Sequence, residues 1–390
     1  MKRLGILGST GSIGRSCLSV IEELPEQFRL VSLTAGENVN LMAEQVMAVR
    51  PDLVSMAHEK AANSLQKLLQ EAGCHPLPEI AHGPEGMKQA STLAEVDLVI
   101  SSTVGVFGLP ATYAALLSGK QVALANKEVL VSAGKLVTSA AKERNLELLP
   151  VDSEHNGVHQ CLRAGRREEA CRLVLTASGG PFLHTPLEQL PTMSVERALD
   201  HPTWKMGNRI TIDSATMMNK GFEVIEACWL FGFSPQQVQV KIHPQSTVHS
   251  LVEFVDGSIL AQLSATDMKI PIQYALSYPK RVASNNHAFD WGSLSVLQFS
   301  EPDTKRFPCL RLAYQAMEQG DSYPCALNAA DEVAVAAFLE RKIPFGAISR
   351  IVGDVLQNVA SRQFSSIEDV LDHDQLSRAR AREMLSRYRN

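Results

Sequence analysis

RLGILGSTGSIGRS, residues 3–16, combines a short apolar run, three glycines and the start of a helical pattern. The apolar run at 3–7 predicts a strand, and the apolar spacing of 12–24 predicts a helix. Gly8, Gly11 and Gly14 lie where the two meet. Glycines at such a junction let backbone N–H groups approach a pyrophosphate at the positive end of a helix, so the segment predicts a dinucleotide-binding loop. The spacing is G-x-x-G-x-x-G rather than G-x-G-x-x-G, and an ordinary tight turn is the alternative.

The rest of the first 150 residues continues this alternation of short strands and helices. The strand candidates are continuous apolar runs, which is typical of a parallel sheet covered by helices on both faces. Residues 1–150 are therefore expected to form a Rossmann-like domain that binds a dinucleotide. The predicted strands are 3–7, 29–35, 52–56, 96–101, 121–125 and 146–151, and the predicted helices are 12–24, 39–50, 59–72 and 108–119.

The central region, residues 151–277, mixes strands and helices. SLVEFVDGSILAQLSA (250–265) alternates apolar and polar residues on both sides of Asp256-Gly257. This pattern predicts an antiparallel hairpin. Further predicted elements of the region are a strand at 171–178 and a helix at 217–232. We expect an α+β catalytic domain.

The last part of the sequence, residues 278–390, has no strand pattern. Residues 278–303 have no sustained period and are interpreted as a connector. Residues 304–390 carry apolar residues at helical spacing and are expected to form a C-terminal helical domain. The predicted fold class is therefore α/β, with an N-terminal Rossmann-like parallel-sheet domain, a central α+β domain and a C-terminal helical domain.

Composition limits the classes of partner. Among 390 residues, 37 are basic and 42 acidic, which gives a net charge of −5 without a long block of one sign. A nucleic-acid or anionic-membrane partner has little electrostatic support, and a small-molecule substrate is expected. The uncharged stretch from Leu98 to Gly119 has transmembrane length, but Gly105, Gly108 and Pro110 interrupt it, so a buried strand, a turn and a helix are the better interpretation.

The cysteines indicate the compartment. Seven cysteines are scattered without a C-x-x-C pair, which favours free thiols in a reducing cytosol over a disulfide framework or a zinc site. The N-terminus has too short an apolar run for an export signal. A cytoplasmic protein is therefore expected.

Side chains near the glycine loop complete a predicted cofactor site. Cofactor preference is expected at the end of the second strand, where Glu37 lies. On general rules an acid there hydrogen-bonds a ribose hydroxyl and repels a 2′-phosphate, which favours NAD, although an exposed Glu beyond a turn is an equal alternative and Asn38 or Ser32 could serve a 2′-phosphate. The predicted cofactor contacts are Gly8, Thr10, Gly11, Ser12, Ile13, Gly14, Gly36, Asn38, Asn126, Lys127, Glu128 and Gly207.

An acidic cluster follows the strand predicted at 146–151. Asp152 and Glu154 have period-two spacing, so on an extended strand both side chains would leave the same face. Two carboxylates held together repel each other unless a cation compensates, and oxygen ligands select Mg²⁺, Mn²⁺ or Co²⁺. Glu223 and Glu226, one helical turn apart, are candidates for a third ligand, and both are alternatively solvated. The alternative for the pair itself is a surface acidic corner beside a structural His155.

A phosphate site is suggested by hydroxyl, amide and ammonium groups near turns and helix starts. Ser178 precedes a Gly-Gly turn, and Ser214, Asn219 and Lys220 surround a helix start. A phosphate about 6 Å from a carboxylate would be destabilised by about 3 kcal/mol at an effective dielectric constant of about 20. We therefore expect this site to lie apart from the carboxylates, with a small phosphorylated polyol spanning both.

Three further segments are candidates for substrate contact. DHPTWKMGN (200–208) has neither strand nor helix period, and it predicts a lid that lays Trp204 over the substrate; core packing of Trp204 is the alternative. His249 is as compatible with a buried hydrogen-bonded histidine as with a substrate contact. Lys127 follows a strand at the end where open α/β sheets bind ligands, and a surface lysine starting a helix is its alternative.

These motifs together resemble the 1-deoxy-D-xylulose 5-phosphate reductoisomerase family. The resemblance runs through nearly the whole chain in GSTGSIG, ANKE, LLPVDSEHN, ASGGPF, HPTWKMG, DSATMMNKG, HPQSTVHS and ALNAADEVAVAAFL. It implies an NADPH domain, a catalytic domain with a mobile lid, a connector and a C-terminal helical domain in a homodimer. Glu37 departs from the basic or small residue of many members; NADPH remains the expected cofactor.

The resemblance also implies roles for individual residues. Asp152, Glu154 and Glu223 match the metal ligands. Lys127 matches a residue beside the hydroxyls of the substrate, and Trp204 and Met206 match the lid. The residues matching substrate and phosphate contacts are Ser153, Ser178, His201, Ser214, Asn219 and Lys220.

The implied reaction is a metal-assisted rearrangement of 1-deoxy-D-xylulose 5-phosphate and reduction of the resulting aldehyde by NADPH to 2-C-methyl-D-erythritol 4-phosphate, in non-mevalonate isoprenoid biosynthesis. Two rival functions share the glycine loop. A phosphorylating semialdehyde dehydrogenase needs an activated cysteine, and no cysteine here lies in an electropositive motif. A non-catalytic nucleotide-sensing module would leave the acidic cluster without a purpose.

Overall fold

The computed structural model describes residues 1–283 and 289–388. The strands are β1 Lys2–Leu7, β2 Phe28–Thr34, β3 Leu53–Met56, β4 Glu79–His82, β5 Leu98–Ser101, β6 Gln121–Leu124, β7 Leu148–Pro150, β8 Ala170–Ala177, β9 Val238–Ile242, β10 Val248–Phe254 and β11 Ile259–Leu263. The α-helices are α1 Ser12–Glu23, α2 Val39–Val49, α3 Glu59–Glu71, α4 Gly83–Thr92, α5 Leu109–Leu117, α6 Lys127–Glu143, α7 Ser153–Leu162, α8 Val195–Leu199, α9 Asn208–Thr216, α10 Met218–Phe231, α11 Lys269–Ser277, α12 Pro308–Gln319, α13 Ser322–Leu339, α14 Ala347–Gln357 and α15 Ile367–Leu385. Short 3₁₀ helices span Gly105–Gly108, Arg167–Glu169, Leu190–Thr192, Pro235–Gln237 and Trp291–Ser293.

The first compact unit comprises Met1–Val129, Val137–Asp152 and Met268–Ser284. Its seven-stranded sheet has the order β4-β3-β2-β1-β5-β6-β7, and every neighbouring pair is parallel. The central strands are buried and apolar because helices cover both faces. The strand order reverses direction between β1 and β5, which is where open sheets of this kind bind ligands.

The predicted parallel sheet is confirmed, with local differences. All six predicted strands form, but Glu79–His82 adds an edge strand that the sequence did not predict, because EIAH has no apolar run and stays largely solvated at the edge. The stretch 98–119 divides into β5, a 3₁₀ turn and α5, as expected. Helix α11 packs Ile272 and Leu276 into the core of this unit. Its residues fall in the range 151–277 that was expected to form the central domain, and no helix was predicted at these positions.

The second compact unit comprises Leu130–Leu136, Ser153–Asp267 and Asn285–Asn390. Its four-stranded sheet has the order β11-β10-β8-β9, antiparallel except between β8 and β9. The predicted hairpin forms between β10 and β11, where Gly257 takes a positive φ of 83° that favours glycine. The sheet and the C-terminal helices belong to the same unit.

Helices α12 to α15 form the predicted helical C-terminus and pack around α13, which is buried along most of its length. Of the connector predicted at 278–303, residues 284–288 lie outside the described part. Within 1–283 and 289–388, no helix is both long and apolar enough to cross a membrane.

Candidate active site

Three acidic side chains converge just after strand β7. Asp152, Glu154 and Glu223 each offer a carboxylate oxygen, and these oxygens lie within 4.8 Å of one another. Glu223 is fully buried, while the other two are half-buried. Carboxylates packed this closely repel one another unless positive charge lies nearby.

Two lysines supply positive charge to the cluster. Lys127, the first residue of α6, forms an ion pair with Asp152. Lys220, on α10, pairs with Glu223, and its Nζ lies 3.3 Å from Glu154 Oε2. Two ammonium groups thus face three carboxylates, which leaves the cluster acidic.

Hydrogen bonds fix Glu154 from two sides. The Ser153 hydroxyl donates to Glu154 Oε1 at 3.0 Å, and His249 Nδ1 lies 3.1 Å from the same oxygen. Ser250 donates to the backbone carbonyl of Glu154. Glu154 lies in the first turn of α7, so the expectation that it shares an extended strand with Asp152 is wrong; the helix starts at Ser153, directly after Asp152.

Of the two acidic residues Glu223 and Glu226 on helix α10, Glu223 belongs to the carboxylate cluster and Glu226 does not. Asn219 Nδ2 donates to Glu223 Oε1 at 2.6 Å, and His155 Nε2 lies 2.8 Å from the backbone carbonyl of Glu223. Glu226 Oε2 lies 3.8 Å from His155 Nδ1 instead. Both acids are buried, since α10 is covered on nearly all sides, so the alternative that they are solvated is wrong.

The donor set of the cluster fits a hard divalent cation. It consists of carboxylate oxygens within reach of a single ion, without sulfur or imidazole among the three. Such a set suits Mg²⁺, Mn²⁺ or Co²⁺ rather than a thiolate-binding metal. Asp152, Glu154 and Glu223 are the residues that would hold it.

A second group of polar side chains surrounds His201. Its Nε2 lies 3.1 Å from the hydroxyls of both Ser178 and Ser214. Its Nδ1 accepts backbone N–H groups of Thr203 at 3.1 Å and Trp204 at 2.9 Å. Because Nδ1 is an acceptor, the neutral ring carries its proton on Nε2. Burial lowers the pKa of His201, which favours this neutral form.

The predicted phosphate residues divide between the two groups. Ser178 and Ser214 join His201, whereas Asn219 and Lys220 contact the carboxylates. The expectation that all four lie apart from the acidic cluster is therefore wrong for two of them. The physical reason is that the Lys220 ammonium itself offsets the like-charge repulsion on which that expectation rested.

The predicted lid, 200–208, has no regular structure until α9 begins at Asn208. The Trp204 indole is half-buried, and its ring centroid lies 6.4 Å from that of His249 at an angle of 58°. Met206 is half-buried, and Gly207 is the exposed N-cap of α9. Trp204 is thus next to a histidine that contacts Glu154.

Two glycines of the glycine loop lie where the backbone leaves no room for a side chain. Gly8 has a φ of 88°, and a Cβ there would lie 2.7 Å from the Ser102 carbonyl oxygen. A Cβ on Gly14 would lie 2.4 Å from the Gly8 carbonyl oxygen. No side chain caps the N-terminus of α1 at Gly11, so its backbone N–H groups point to the loop. Thr10, Ser12 and Ile13 lie in or next to this turn.

The other predicted cofactor residues of this unit lie at carboxyl ends of its strands. Asn38 caps α2 by accepting the Leu41 N–H at 3.2 Å. The Asn126 amide is buried and donates to Thr103 Oγ1 at 2.9 Å and to the Gly105 carbonyl at 3.0 Å. Gly36 is exposed, and Glu128 is in the first turn of α6.

Glu37 is exposed, and its Oε1 lies 3.3 Å from His58 Nε2. His58 Nδ1 accepts the N–H of Ala61 at 3.2 Å, so the neutral ring presents an N–H to Glu37. His58 was not among the predicted site residues because it lies 21 positions from Glu37 along the chain.

Three family models match most of the chain. A 1-deoxy-D-xylulose 5-phosphate reductoisomerase model matches residues 4–134, its C-terminal domain model matches 148–231, and a DXP reductoisomerase C-terminal domain model matches 263–380. The chain belongs to the 1-deoxy-D-xylulose 5-phosphate reductoisomerase family. The resemblance inferred from the sequence motifs is confirmed.

Relatives and solved structures of the reductoisomerase family are similar over nearly the full length. The protein of that name from Solibacter usitatus is 53% identical over 98% of this chain and 97% of its own, and that from Geobacter sp. (strain M21) is 50% identical over 99% of each. A DOX-P reductoisomerase crystallised with NADPH, fosmidomycin and magnesium has a TM-score of 0.94 at 41% identity, covering 99% of this chain and 98% of its own. The Zymomonas mobilis enzyme in complex with NADPH has a TM-score of 0.92 at 41% identity, covering 98% of this chain and 99% of its own.

The cysteines do not favour the rival dehydrogenase. All seven are free thiols, as expected, and six are buried. Burial raises the pKa of Cys161 to about 11 and of Cys17 and Cys228 to about 12, and it raises the pKa of Cys309 and Cys325 further. These five thiols are poor nucleophiles at neutral pH.

Proposed function

We propose that this chain converts 1-deoxy-D-xylulose 5-phosphate to 2-C-methyl-D-erythritol 4-phosphate with NADPH and a divalent cation. As a member of its family it is an NADPH-dependent reductoisomerase. The observation that carries the proposal is the convergence of Asp152, Glu154 and Glu223. A bound divalent cation would supply Lewis-acid polarisation of the substrate ketone and its neighbouring hydroxyl.

Lys127 and Ser153 lie with the carboxylates at the reacting end of the substrate. The Lys127 ammonium lies beside Asp152, where it stabilises negative charge that develops on a substrate oxygen and orients the hydroxyls of the substrate. Ser153 and His249 hold the Glu154 carboxylate in one orientation. Such a fixed arrangement needs little reorganisation during the reaction.

The other end of the substrate binds at the His201 group. Ser178, His201 and Ser214 present hydroxyl and imidazole donors to the phosphate, while Asn219 and Lys220 contact the carboxylates. Phosphate binding away from the reacting carbons orients the ketose. Trp204 and Met206 then exclude water when the lid segment covers the substrate.

NADPH binds along the glycine loop. The backbone N–H groups at the start of α1 receive the pyrophosphate, and residues after β2 face the adenosine ribose. Held by the glycine loop and the start of α1, a bound NADPH would supply the hydride that reduces the aldehyde formed by the rearrangement.

The test is turnover of the purified chain with 1-deoxy-D-xylulose 5-phosphate, NADPH and Mg²⁺, Mn²⁺ or Co²⁺, each in turn. Oxidation of NADPH and formation of 2-C-methyl-D-erythritol 4-phosphate, followed by absorbance and mass spectrometry, are expected, and EDTA should abolish both. Absence of NADPH oxidation with all three cations would overturn the proposal.

A homodimer is the assembly that we propose. Strand β11 lies at the edge of its sheet, and Ile259 and Leu260 expose apolar surface on it together with Val255 in the preceding turn. An exposed apolar edge strand is a template for pairing with another chain. We propose that a second copy of this chain covers it.

Light scattering after size-exclusion chromatography tests the dimer. Wild type should elute at twice the chain mass, and Leu260→Lys should shift it towards the monomer. Leu117→Lys, at an exposed leucine on α5, is the matched control. A monomeric wild type, or a Leu260→Lys variant as dimeric as the control, contradicts the proposal.

We also propose a cytoplasmic location. The support is chemical, because seven free cysteines suit a reducing compartment better than an oxidising one. Fractionation of cells that produce the protein, followed by immunoblotting, tests it; recovery from an oxidising compartment would contradict it.

A further inference from the structure

Helix α9 connects the lid segment to the phosphate group of side chains. It begins at Asn208, directly after 200–207, and it carries Ser214, whose hydroxyl lies 3.1 Å from His201 Nε2. A displacement of α9 along its axis would therefore change the distance between Ser214 and His201. The position of this helix determines the geometry of the proposed phosphate site.

Arg209, in the first turn of α9, contacts the C-terminal helix α13. Its Nη1 lies 3.1 Å from Glu332 Oε1, and its Nη2 donates to Asn328 Oδ1 at 3.1 Å. Its Nε lies 3.7 Å from Asp213 Oδ2, one turn further along α9. The Asn328 amide in turn donates to Glu332 Oε1 at 3.2 Å, so that the acceptor of Arg209 is itself held in place.

The contacts continue to a third helix. Glu332 Oε2 lies 2.8 Å from Arg378 Nη2 on α15, and Arg378 makes a two-bond contact with Asp374 at 2.6 and 3.1 Å. We call Arg209, Asp213, Asn328, Glu332, Asp374 and Arg378 the Arg209 network. Its charges alternate in sign from α9 through α13 to α15.

The charged side chains of the Arg209 network are mostly buried, so their contacts can fix the orientation of their partners. The side chains of Arg209, Glu332 and Arg378 expose 20%, 14% and 17% of their surface. Planar guanidinium groups in such surroundings fix the relative orientation of their partners better than flexible ammonium groups do. Asp331 is fully buried beside the network, and burial together with the nearby Asp213 carboxylate raises its pKa well above the ordinary value.

We propose that the C-terminal helices position the phosphate end of the substrate through the Arg209 network, with Arg209 and Glu332 as positioning residues. The inference rests on the proposed phosphate role of Ser178, His201 and Ser214. The inference assigns a positioning role to the ALNAADEVAVAAFL segment, because Asn328 and Glu332 both belong to it.

The experiment compares Arg209→Met, Arg209→Lys and Glu332→Gln, with Arg382→Met, an exposed arginine on α15, as the matched control. Small displacements of a bound group cost large factors in rate or affinity, so we expect Arg209→Met and Glu332→Gln to raise the KM for 1-deoxy-D-xylulose 5-phosphate about tenfold. The kcat at saturation and the Kd of NADPH should change less than about twofold, and Arg209→Lys should recover part of the KM. Inorganic phosphate should compete with the substrate less strongly in both network variants.

A thermal melt establishes that each variant is folded at the assay temperature. If Arg209→Met does not fold, Glu332→Gln, which keeps the shape of the side chain, carries the test. Folded Arg209→Met and Glu332→Gln variants with an unchanged KM overturn the inference. Ser214→Ala distinguishes a failure of the phosphate assignment from a failure of the Arg209 network. If Ser214→Ala leaves the KM unchanged, the phosphate assignment itself is wrong. If Ser214→Ala raises the KM but the network variants do not, only the role of the Arg209 network is excluded.

Discussion

His201 Nε2 lies 3.1 Å from the Ser214 hydroxyl, while the other nitrogen of the same ring accepts two backbone N–H groups of the lid segment. One imidazole thus holds both the turn that carries Trp204 and a hydroxyl of the proposed phosphate site. The ring can do this only when it is neutral with its proton on Nε2, because a second proton would occupy Nδ1 and remove the acceptor.

Substrate affinity should therefore fall in mild acid. Burial lowers the pKa of His201, so the unfolded chain binds more protons than the folded one between the two pKa values. The stabilisation from the neutral ring is present above the ordinary pKa of about 6.5 and is lost as pH falls below it towards the lowered value. Substrate binding depends on the ring in the folded protein, so we expect the KM for the phosphosugar to rise as the pH falls through the lowered pKa of His201, below the ordinary value.

The control for this titration is His201→Asn, whose Oδ1 can still accept the two backbone N–H groups. The phosphate of the substrate titrates near pH 6 as well, so any rise that persists in His201→Asn belongs to the substrate. Equal pH profiles for wild type and variant would show that His201 does not titrate in this window.

Glu223→Gln should weaken cation binding strongly. The neutral amide removes one of three carboxylates, and we expect the half-saturating concentration of Mn²⁺ to rise about 100-fold, at the upper end of the effects seen for residues near metal sites. Activity as a function of Mn²⁺ concentration measures it. Glu226→Gln, one turn further along α10 and equally buried, is the matched control. If both variants need the same extra Mn²⁺, Glu223 is not a ligand.

Glu37→Gln should strengthen NADPH binding selectively. Glu37 follows β2, where the adenosine ribose is expected, and its negative charge opposes a 2′-phosphate. Removing one exposed charge should lower the Kd of NADPH about threefold while leaving that of NADH nearly unchanged, because interactions between exposed charges are weak. Glu37→Lys, which replaces the negative charge with a positive one, should lower the Kd of NADPH further. Fluorescence titration with both cofactors measures it, with Glu44→Gln, an exposed acid on α2, as the control. An unchanged NADPH-to-NADH ratio in both Glu37 variants contradicts the assignment.

Gly14→Ala should destabilise the first unit. The added Cβ would lie 2.4 Å from the Gly8 carbonyl oxygen, and relieving such a contact with backbone costs about 1–3 kcal/mol of unfolding free energy. Urea denaturation measures the loss. Gly36→Ala, where nothing lies within 4 Å of the new Cβ, should stay close to wild type. A Gly14→Ala variant as stable as Gly36→Ala would falsify the close packing of the loop.

Local patterns predicted the parallel sheet and the glycine loop because both depend on residues that are neighbours in sequence. Gly8 follows directly after a continuous apolar strand and Gly14 lies in the first turn of the next helix, so their surroundings are fixed by one strand and one turn. The edge strand at Glu79–His82 escaped prediction because it is held by hydrogen bonds to β3 rather than by apolar burial.

The site was predictable in part. The position of Glu154 was expected for the wrong reason, since a helix rather than a strand presents it. Spacing could not choose between Glu223 and Glu226; the family resemblance did, and the structure agrees by placing only Glu223 with Asp152. Arg209 and Glu332 went unnoticed because they meet across 123 positions, and no local period connects them.

Six of the seven thiols are buried, so their chemical modification can report local opening of the protein. A maleimide in solution can modify these sulfurs only during excursions that expose them. Modification of Cys17 and Cys74 would report opening of the first compact unit, and modification of Cys228 and Cys325 would report opening of the second. Mass spectrometry of the labelled peptides would therefore measure the opening rate of each unit without an added probe.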